Sequence, residues 1–376
     1  MEIIAEGRGD YLKPDPDGFR AWVRDHKPRT LVNKLMSERE AVQRFVSDGD
    51  YFAYDCNYFQ RGPSALIREV IRQGKKDLWV CGKFTYVAVA LLVEAGCASK
   101  VDIGFVGFGP WLSKAVAAGR VQTYEYSNVV MTYRLQAGAQ GLPFIAVRSF
   151  GGTDGFPHSG AKLVKDPFSG KPVVLLPALN PDVSIIHVHQ ADIYGNARVF
   201  GTGIAHVECA LASKKVILSA EEIIETDEFR RDPGRTSIPH FVVDAVVHAP
   251  FGAYPGAVQG RYTSDVAHVV ECFGAKCKGT CSRIWKNGSI VSARMRRPWK
   301  SGWVGRSCKS CNAAKPSGRA IPYDSSYTFR GTRTPDLHGR SHDRGGQELL
   351  GGRWGRTALH YPAGAAALHA GGPVPH

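Results

Sequence analysis

Short apolar, β-branched runs alternate with helical segments of about three turns along most of the first 275 residues, and this alternation constrains the fold more than any other feature. Strands are expected at 51–54, 77–80, 101–105, 121–125, 144–147, 173–177, 183–189, 215–219 and 238–248. Helices are expected between them at 63–73, 88–94 and 128–137, the first with Pro63 at its start and Gly74 just past its end. A shorter helix begins behind Ser37, where Ser37 and Glu40 form a capping box ahead of Ala41, Val42, Phe45 and Val46. Such a series predicts an α/β protein, an open, mostly parallel sheet covered by helices. Ligands of such sheets bind at the carboxyl ends of the strands, where the glycine-rich stretch 149–160 falls.

The chain divides by charge. Its formal net charge is +14, which taken alone suggests a polyanion partner. Residues 1–275 hold 30 Lys and Arg against 30 Asp and Glu, however, whereas 276–376 hold 18 against 4. The whole excess lies in the last segment, so the main body gives no charge argument for nucleic acid. Three regions follow: a polar extension over 1–34 expected to wrap on a surface, an α/β domain over 35–275, and a basic tail over 276–376. In the tail, Cys277 and Cys281 with Cys308 and Cys311 invite a zinc-ribbon reading joined to nucleic-acid binding. Its spacing is loose, and hydrophobic period and local propensity cease to agree there, so out-of-frame sequence is the favoured account. Nine cysteines without the dense spacing of a secreted scaffold fit a reducing cytoplasm. The first residues, MEIIAEGRGDYLKP, carry acids and lack the apolar core of a signal peptide, and no apolar run is long enough to cross a bilayer.

Several residues qualify for chemistry. Glu125 ends a strand, where a carboxylate in a partly closed cleft can act as base or nucleophile; its competing reading is a capping or surface acid near Asn128 and Arg134. Gly151 and Gly152 let a substrate arm pass close to the backbone, or belong to a plain surface loop. Arg134 and Arg148 suit phosphates or an acidic substrate, against salt-bridged surface arginines. Asn180, Gln190, Asp192 and Asn196 are expected to fix turns by side-chain-to-backbone bonds. His187 and His189 share one face of a strand, and their apolar surroundings favour core histidines over a metal site, so no metal is expected. Cys56 would be reactive only with a stabilised thiolate.

From 35 to 274 the chain resembles the alpha subunit of glutaconate-type family I CoA transferases. The phrases that carry the resemblance are Asp48-Gly49-Asp50, Tyr124-Glu125-Tyr126-Ser127, Gly141-Leu142-Pro143-Phe144, Asn180-Pro181-Asp182, Gln190-Ala191-Asp192, Gly195-Asn196, Glu221-Glu222-Ile223 and Pro250-Phe251-Gly252-Ala253. The resemblance implies transfer of CoA between two carboxylic acids through a glutamyl thioester. In that family the nucleophilic glutamate lies in a Ser-Glu-Asn-Gly phrase of a beta-type partner, and this sequence lacks the phrase. The implied partners are a beta-type chain, an acyl-CoA and carboxylic acids, with the CoA thioester as substrate and no tightly bound cofactor. Where the family has a glycine pair after its first strand, this chain has Asp55-Cys56-Asn57, which places Asp55 and Asn57 at the pocket. The chain is also similar to the alpha chain of two-subunit hydrolases that open ring-derived CoA thioesters, in which Glu125 matches the catalytic glutamate. Binding of nucleic acid through the tail is the third, non-enzymatic alternative.

Overall fold

The computed structural model describes residues 2–83, 88–105, 111–266 and 269. All of them lie in one compact unit, Met1–Trp303. The proposed zinc ligands and the rest of the tail lie outside the described residues.

The elements run β1 (Ile3–Glu6), α1 (Pro16–His26), α2 (Glu38–Phe45), β2 (Tyr51–Asp55), α3 (Ser64–Arg72), β3 (Leu78–Gly82), α4 (Ala88–Glu94), β4 (Ala98–Ile103), α5 (Trp111–Ala117) and β5 (Gln122–Glu125). They continue with α6 (Asn128–Ala139), β6 (Phe144–Val147), β7 (Lys162–Lys165), β8 (Pro172–Pro177), β9 (Val183–Ala191), β10 (Ala197–Arg198), α7 (His206–Ala212), β11 (Lys215–Ile223), α8 (Thr226–Arg231) and β12 (Ala245–His248).

The main sheet has the order β12-β11-β9-β2-β3-β4-β5. Those seven strands are parallel, and short β10 adds antiparallel to β9. Period-two alternation supplies both faces. Phe52, Tyr54, Val183 and Ile185 pack against α2, α3, α4 and α5, while Tyr51, Ala53, Ile186 and Val188 pack against α6 and α7. Half of the expected capping box is seen: Ser37 Oγ accepts from Glu40 N–H at 3.2 Å, while the Glu40 carboxylate accepts from Arg44 Nη1 at 3.2 Å. Ser127 caps α6 in the same way. Gly138 lets that helix touch the chain beside β8, because a Cβ there would meet Leu179 O at 2.1 Å.

Three features depart from the sequence reading. A second, antiparallel sheet of order β1-β7-β8-β6 lies beside the parallel one. Residues 1–34 do not merely wrap: β1 is a strand of that second sheet, and Asp15 caps α1 by accepting from Gly18 N–H at 2.9 Å. The strand expected over 238–248 begins only at Ala245, because Pro239 and the single 3-10 turn His240–Val242 bend the chain first.

Candidate active site at the carboxyl ends of the strands

The chain lays down β2, β3, β4 and β5 in succession on one side, then returns to place β9, β11 and β12 on the other side of β2. The reversal between β2 and β9 opens a crevice at their carboxyl ends, the usual ligand position in such sheets. Asp55 closes β2 at that point, opposite Ile186 of β9.

Asp55 is completely buried between two cations. Lys83 Nζ donates to its Oδ1 at 2.8 Å and Arg61 Nη2 to its Oδ2 at 3.0 Å, with no side-chain exposure in any of the three. Ala205 N–H adds a long contact to Oδ1 at 3.4 Å. Burial alone would raise the Asp55 carboxyl, but Lys83 and Arg61 override it and hold the group well below the usual carboxylate range. Burial would likewise strip the Lys83 proton, and Asp55 more than compensates. Cys56 follows in the same interior, and burial, reinforced by the Asp55 charge, pushes its thiol up to about 12. It is therefore a thiol and not a thiolate near neutrality. Asn57 and Gln60 exchange backbone bonds at 2.9 Å in a tight loop, where Tyr58 and Arg61 both hold left-handed backbone at φ 55. Non-glycine residues occupy that region at a cost, and such positions cluster at functional sites.

Glu125 lies elsewhere on the same rim. It is exposed at the end of edge strand β5, three strands from β2, so about 14 Å separates them at a strand spacing of about 4.8 Å. What it meets is the glycine-rich loop: a Cβ built on Gly155 would lie 3.5 Å from Glu125 Cβ and 3.7 Å from its Oε2. Gly151, Gly152 and Arg148 are exposed on that side of the molecule. The loop is anchored inward through Phe150, also in left-handed backbone at φ 81, whose ring stacks on Tyr126 at 6.1 Å.

Arg134 is placed inside and not on a pocket wall. Its Cζ sits 4.2 Å from the Tyr126 ring centroid, and Nη1 donates to Asp102 at 2.7 Å with neither side chain exposed. Tyr51 OH and Trp79 Nε1 also donate to Asp102, each at 2.7 Å. A guanidinium so enclosed cannot reach a CoA phosphate, so Arg134 holds the interior beneath the glycine-rich loop. Neither the sequence spacing nor any local phrase pairs Arg134 with Asp102, or Asp55 with Lys83. The available signal was a charged residue directly after an apolar central strand.

Asp192 accepts from the backbone N–H groups of Tyr194, Gly195 and Asn196 at 2.9–3.0 Å and from the Asn196 amide at 2.7 Å. Asn180 donates to Gly138 O and Ala212 O, joining α6 to α7, and Gln190 donates to Glu222 at 3.0 Å. His187 donates through Nε2 to Glu221 at 2.7 Å, so its Nδ1 accepts from Ser219 Oγ at 2.9 Å. This Ser-His-Glu order resembles a hydrolytic triad, yet Ser219 is fully buried on β11, and Glu221 also accepts from Tyr262 OH and Phe251 N–H. The trio buckles β9, β11 and the 251–253 loop together. His189 accepts from Phe200 N–H at Nδ1 and donates to Gln259 O from Nε2, which fixes a neutral ring. Among the described residues no group of three or more His, Cys, Asp or Glu is placed to hold a metal ion, and no helix is long and apolar enough to cross a membrane.

The sheet and its crevice define a doubly wound α/β protein whose polar groups gather at the point where strand order reverses. The chain belongs to the coenzyme A transferase family, whose model, described as Coenzyme A transferase, matches residues 35–249. It is 44% identical over 279 residues to an uncharacterized protein of Archaeoglobus fulgidus; the match takes in 72% of this chain and 62% of that relative, so less than two thirds of the relative's length is spanned. It is 32% identical over 279 residues to the A-subunit of glutaconate CoA-transferase from Acidaminococcus fermentans, covering 66% of this chain and 87% of that one. The crystal structure of that transferase superposes with a TM-score of 0.61 at 30% identity, over 69% of this chain and 88% of the solved one. Similarity extends to the cholesterol ring-cleaving hydrolase IpdA subunit of Rhodococcus jostii, at 33% over 225 residues, 55% of this chain and 75% of that one.

Proposed function

We propose that the chain is the alpha-type half of a cytoplasmic enzyme that moves CoA between carboxylic acids, with the glutamyl thioester formed on a beta-type partner. The observation that carries this reading is the state of the crevice. Asp55 is neutralised by two cations and enclosed, and Cys56 is a protonated thiol, so neither is a nucleophile for a thioester carbonyl. The reading assigns the attacking carboxylate to another chain, in keeping with relatives whose names mark them as one subunit of a larger transferase. In this reading Asn57, Gly151 and Gly152 border the path of the CoA arm, and exposed Arg148 meets its phosphates. CoA enters and leaves as substrate, and no tightly bound cofactor takes part.

The test is co-expression with a beta-type chain, incubation of the complex with an acyl-CoA, and mass spectrometry of both chains. A CoA-sized adduct on the partner that disappears when a free carboxylic acid is added is the expected result. Turnover in the absence of any acceptor acid would overturn it.

A second reading, hydrolytic opening of a ring-derived CoA thioester, is favoured by the exposed position of Glu125 beside the glycine-rich loop. Glu125→Gln separates the two. Loss of a general base costs about 10²–10⁴-fold in rate, so hydrolysis predicts a fall of at least about 100-fold, and transfer predicts a change of a few-fold only.

A further inference from the structure

The stretch between β1 and α1 is bound to the glycine-rich loop. Three consecutive residues donate from the backbone to the far half of that loop and the residue after it: Gly7 N–H to Ala161 O at 2.8 Å, Arg8 N–H to Pro157 O at 2.9 Å and Gly9 N–H to Ser159 O at 2.9 Å. Two of the three are glycine because nothing larger fits. A Cβ on Gly7 would collide with Ser159 O, and one on Gly9 with His158 O. Tyr11 then packs its ring on Gly160, which leaves no room for a Cβ there either. One end of this stretch is fixed by the pairing of β1 with β7, and the other by Asp10, which meets Lys100 of β4 at 2.8 Å. Residues 7–11 are thus a strap, tied at both ends and drawn across the loop. None of the five is buried, so the strap adds little to the core, and its backbone bonds go to the loop.

The other fastening of the loop is the residue after Glu125. Tyr126 stacks its ring on Phe150 at the start of the loop, and its OH accepts from Gly160 N–H at 3.0 Å near the end. Gly155, in the middle, lies against Glu125 itself. Loop and Glu125 are therefore held as one unit, by Tyr126 at both ends of the loop and by the strap along its far half. Tyr126 belongs to the region 35–249 matched by the Coenzyme A transferase model, whereas the strap precedes it.

We propose that Gly7, Gly9 and Tyr11 are positioning residues for coenzyme A: the strap they form fixes the glycine-rich loop where Gly151 and Gly152 admit the CoA arm beside Glu125. The proposal rests on the reading of this rim as the path of CoA. A loop fixed before the ligand arrives loses less freedom on binding, so releasing the strap weakens affinity without touching any group that meets the ligand.

Gly9→Ala is the test, made in the full chain co-expressed with a beta-type chain. Gly9 is not in left-handed backbone, so the collision with His158 O is what the added methyl brings. Hydrogen exchange followed by mass spectrometry should show the amides of residues 150–161 exchanging at least about tenfold faster than in the unaltered complex, with those of β9 unchanged. Coenzyme A titrated calorimetrically into the same two complexes should bind G9A with a Kd at least about fivefold higher. Faster exchange in the loop with an unchanged Kd overturns the proposal, and so does a loop whose exchange G9A leaves as it was. A higher Kd accompanied by faster exchange in β9 also overturns it, because the fold and not the loop is then disturbed. An unaltered complex that binds no coenzyme A removes the reading beneath the proposal, whereas equal binding by both complexes removes the proposal alone. Should G9A fail to fold, Tyr11→Ala, which takes away the ring over Gly160 and adds no bulk, goes through both measurements with the same expected results.

Discussion

Replacing Asp55 by Asn should damage this protein more than replacing Lys83 by Met, although each removes one partner of the same ion pair. The reason is net charge in a closed space. Asp55→Asn leaves Lys83 and Arg61 enclosed without the carboxylate they share, and removing one partner of a buried pair typically costs about 3–5 kcal/mol. The amide also turns donor hydrogens toward one of the two cations, where both had donated to a carboxylate oxygen. Lys83→Met leaves one carboxylate facing one guanidinium, a balanced pair joined at 3.0 Å. It loses a charge-assisted bond of about 1.5–3 kcal/mol and relieves the repulsion between the two cations, so about 2 kcal/mol or less is expected, Met being close to Lys in volume. The double variant should then be less destabilised than the sum of the two single ones by at least about 2 kcal/mol. Urea unfolding at pH 7, in a sulfonate buffer without added carboxylate, gives all three values. Lys83→Met proving as costly as Asp55→Asn would refute the charge-balance reasoning, and additive single variants would refute the coupling.

Acid should weaken the fold in a defined window. Burial, with Arg61 and His187 adding to it, lowers His189 from 6.5 to about 4. The unfolded chain therefore binds the extra proton first, and the stability present above pH 6.5 is lost as pH falls toward 4, by up to about 3 kcal/mol. His189→Gln should flatten that part of a stability-against-pH curve, and an unchanged slope would rule His189 out as its source. Asp192→Ala should cost about 3 kcal/mol or more, because three backbone N–H groups lose their acceptor in a turn beside β9. Chemical denaturation measures it, and a loss below about 1 kcal/mol would mean that the turn holds without the carboxylate.

The parallel sheet was legible because its strands are buried on both faces. Tyr51–Asp55 reads as a nearly continuous apolar run, which a covered sheet demands, and Val183–Ala191 is buried along almost its whole length although Ser184, His187, His189 and Gln190 interrupt its apolar residues. The second sheet was harder to see. Its strands β1 and β7 are four residues each, Ile-Ile-Ala-Glu and Lys-Leu-Val-Lys, too short for a period to stand out from a loop. Helix α1 was hidden by Pro14-Asp15-Pro16-Asp17-Gly18, which has turn composition although Asp15 and Pro16 are good starting residues for a helix. The site divides in the same manner. Asp55 drew notice through the resemblance, as part of the Asp55-Cys56-Asn57 phrase that replaces the family's glycine pair, but Lys83 lies 28 residues away and is brought to it by the pairing of β2 with β3. Arg134 drew notice for its charge, and that charge is taken up by Asp102, 32 residues earlier.

The position of β2 at the middle of its sheet bears on how the chain is made. Its partner β3 follows within about thirty residues, but its other neighbour, β9, leaves the ribosome roughly 130 residues after β2, on the order of 10 s later at ordinary elongation rates. Through that interval the half-sheet β2-β3-β4-β5 presents β2 as a raw edge of Tyr, Phe, Ala, Tyr and Asp, rich in aromatic residues and carrying one charge at its end. Edges of that kind pair readily with other chains. Nascent protein should consequently be most prone to aggregate, and most dependent on a holding chaperone, before β9 has emerged, and slowed translation between residues 55 and 183 should lower the soluble yield.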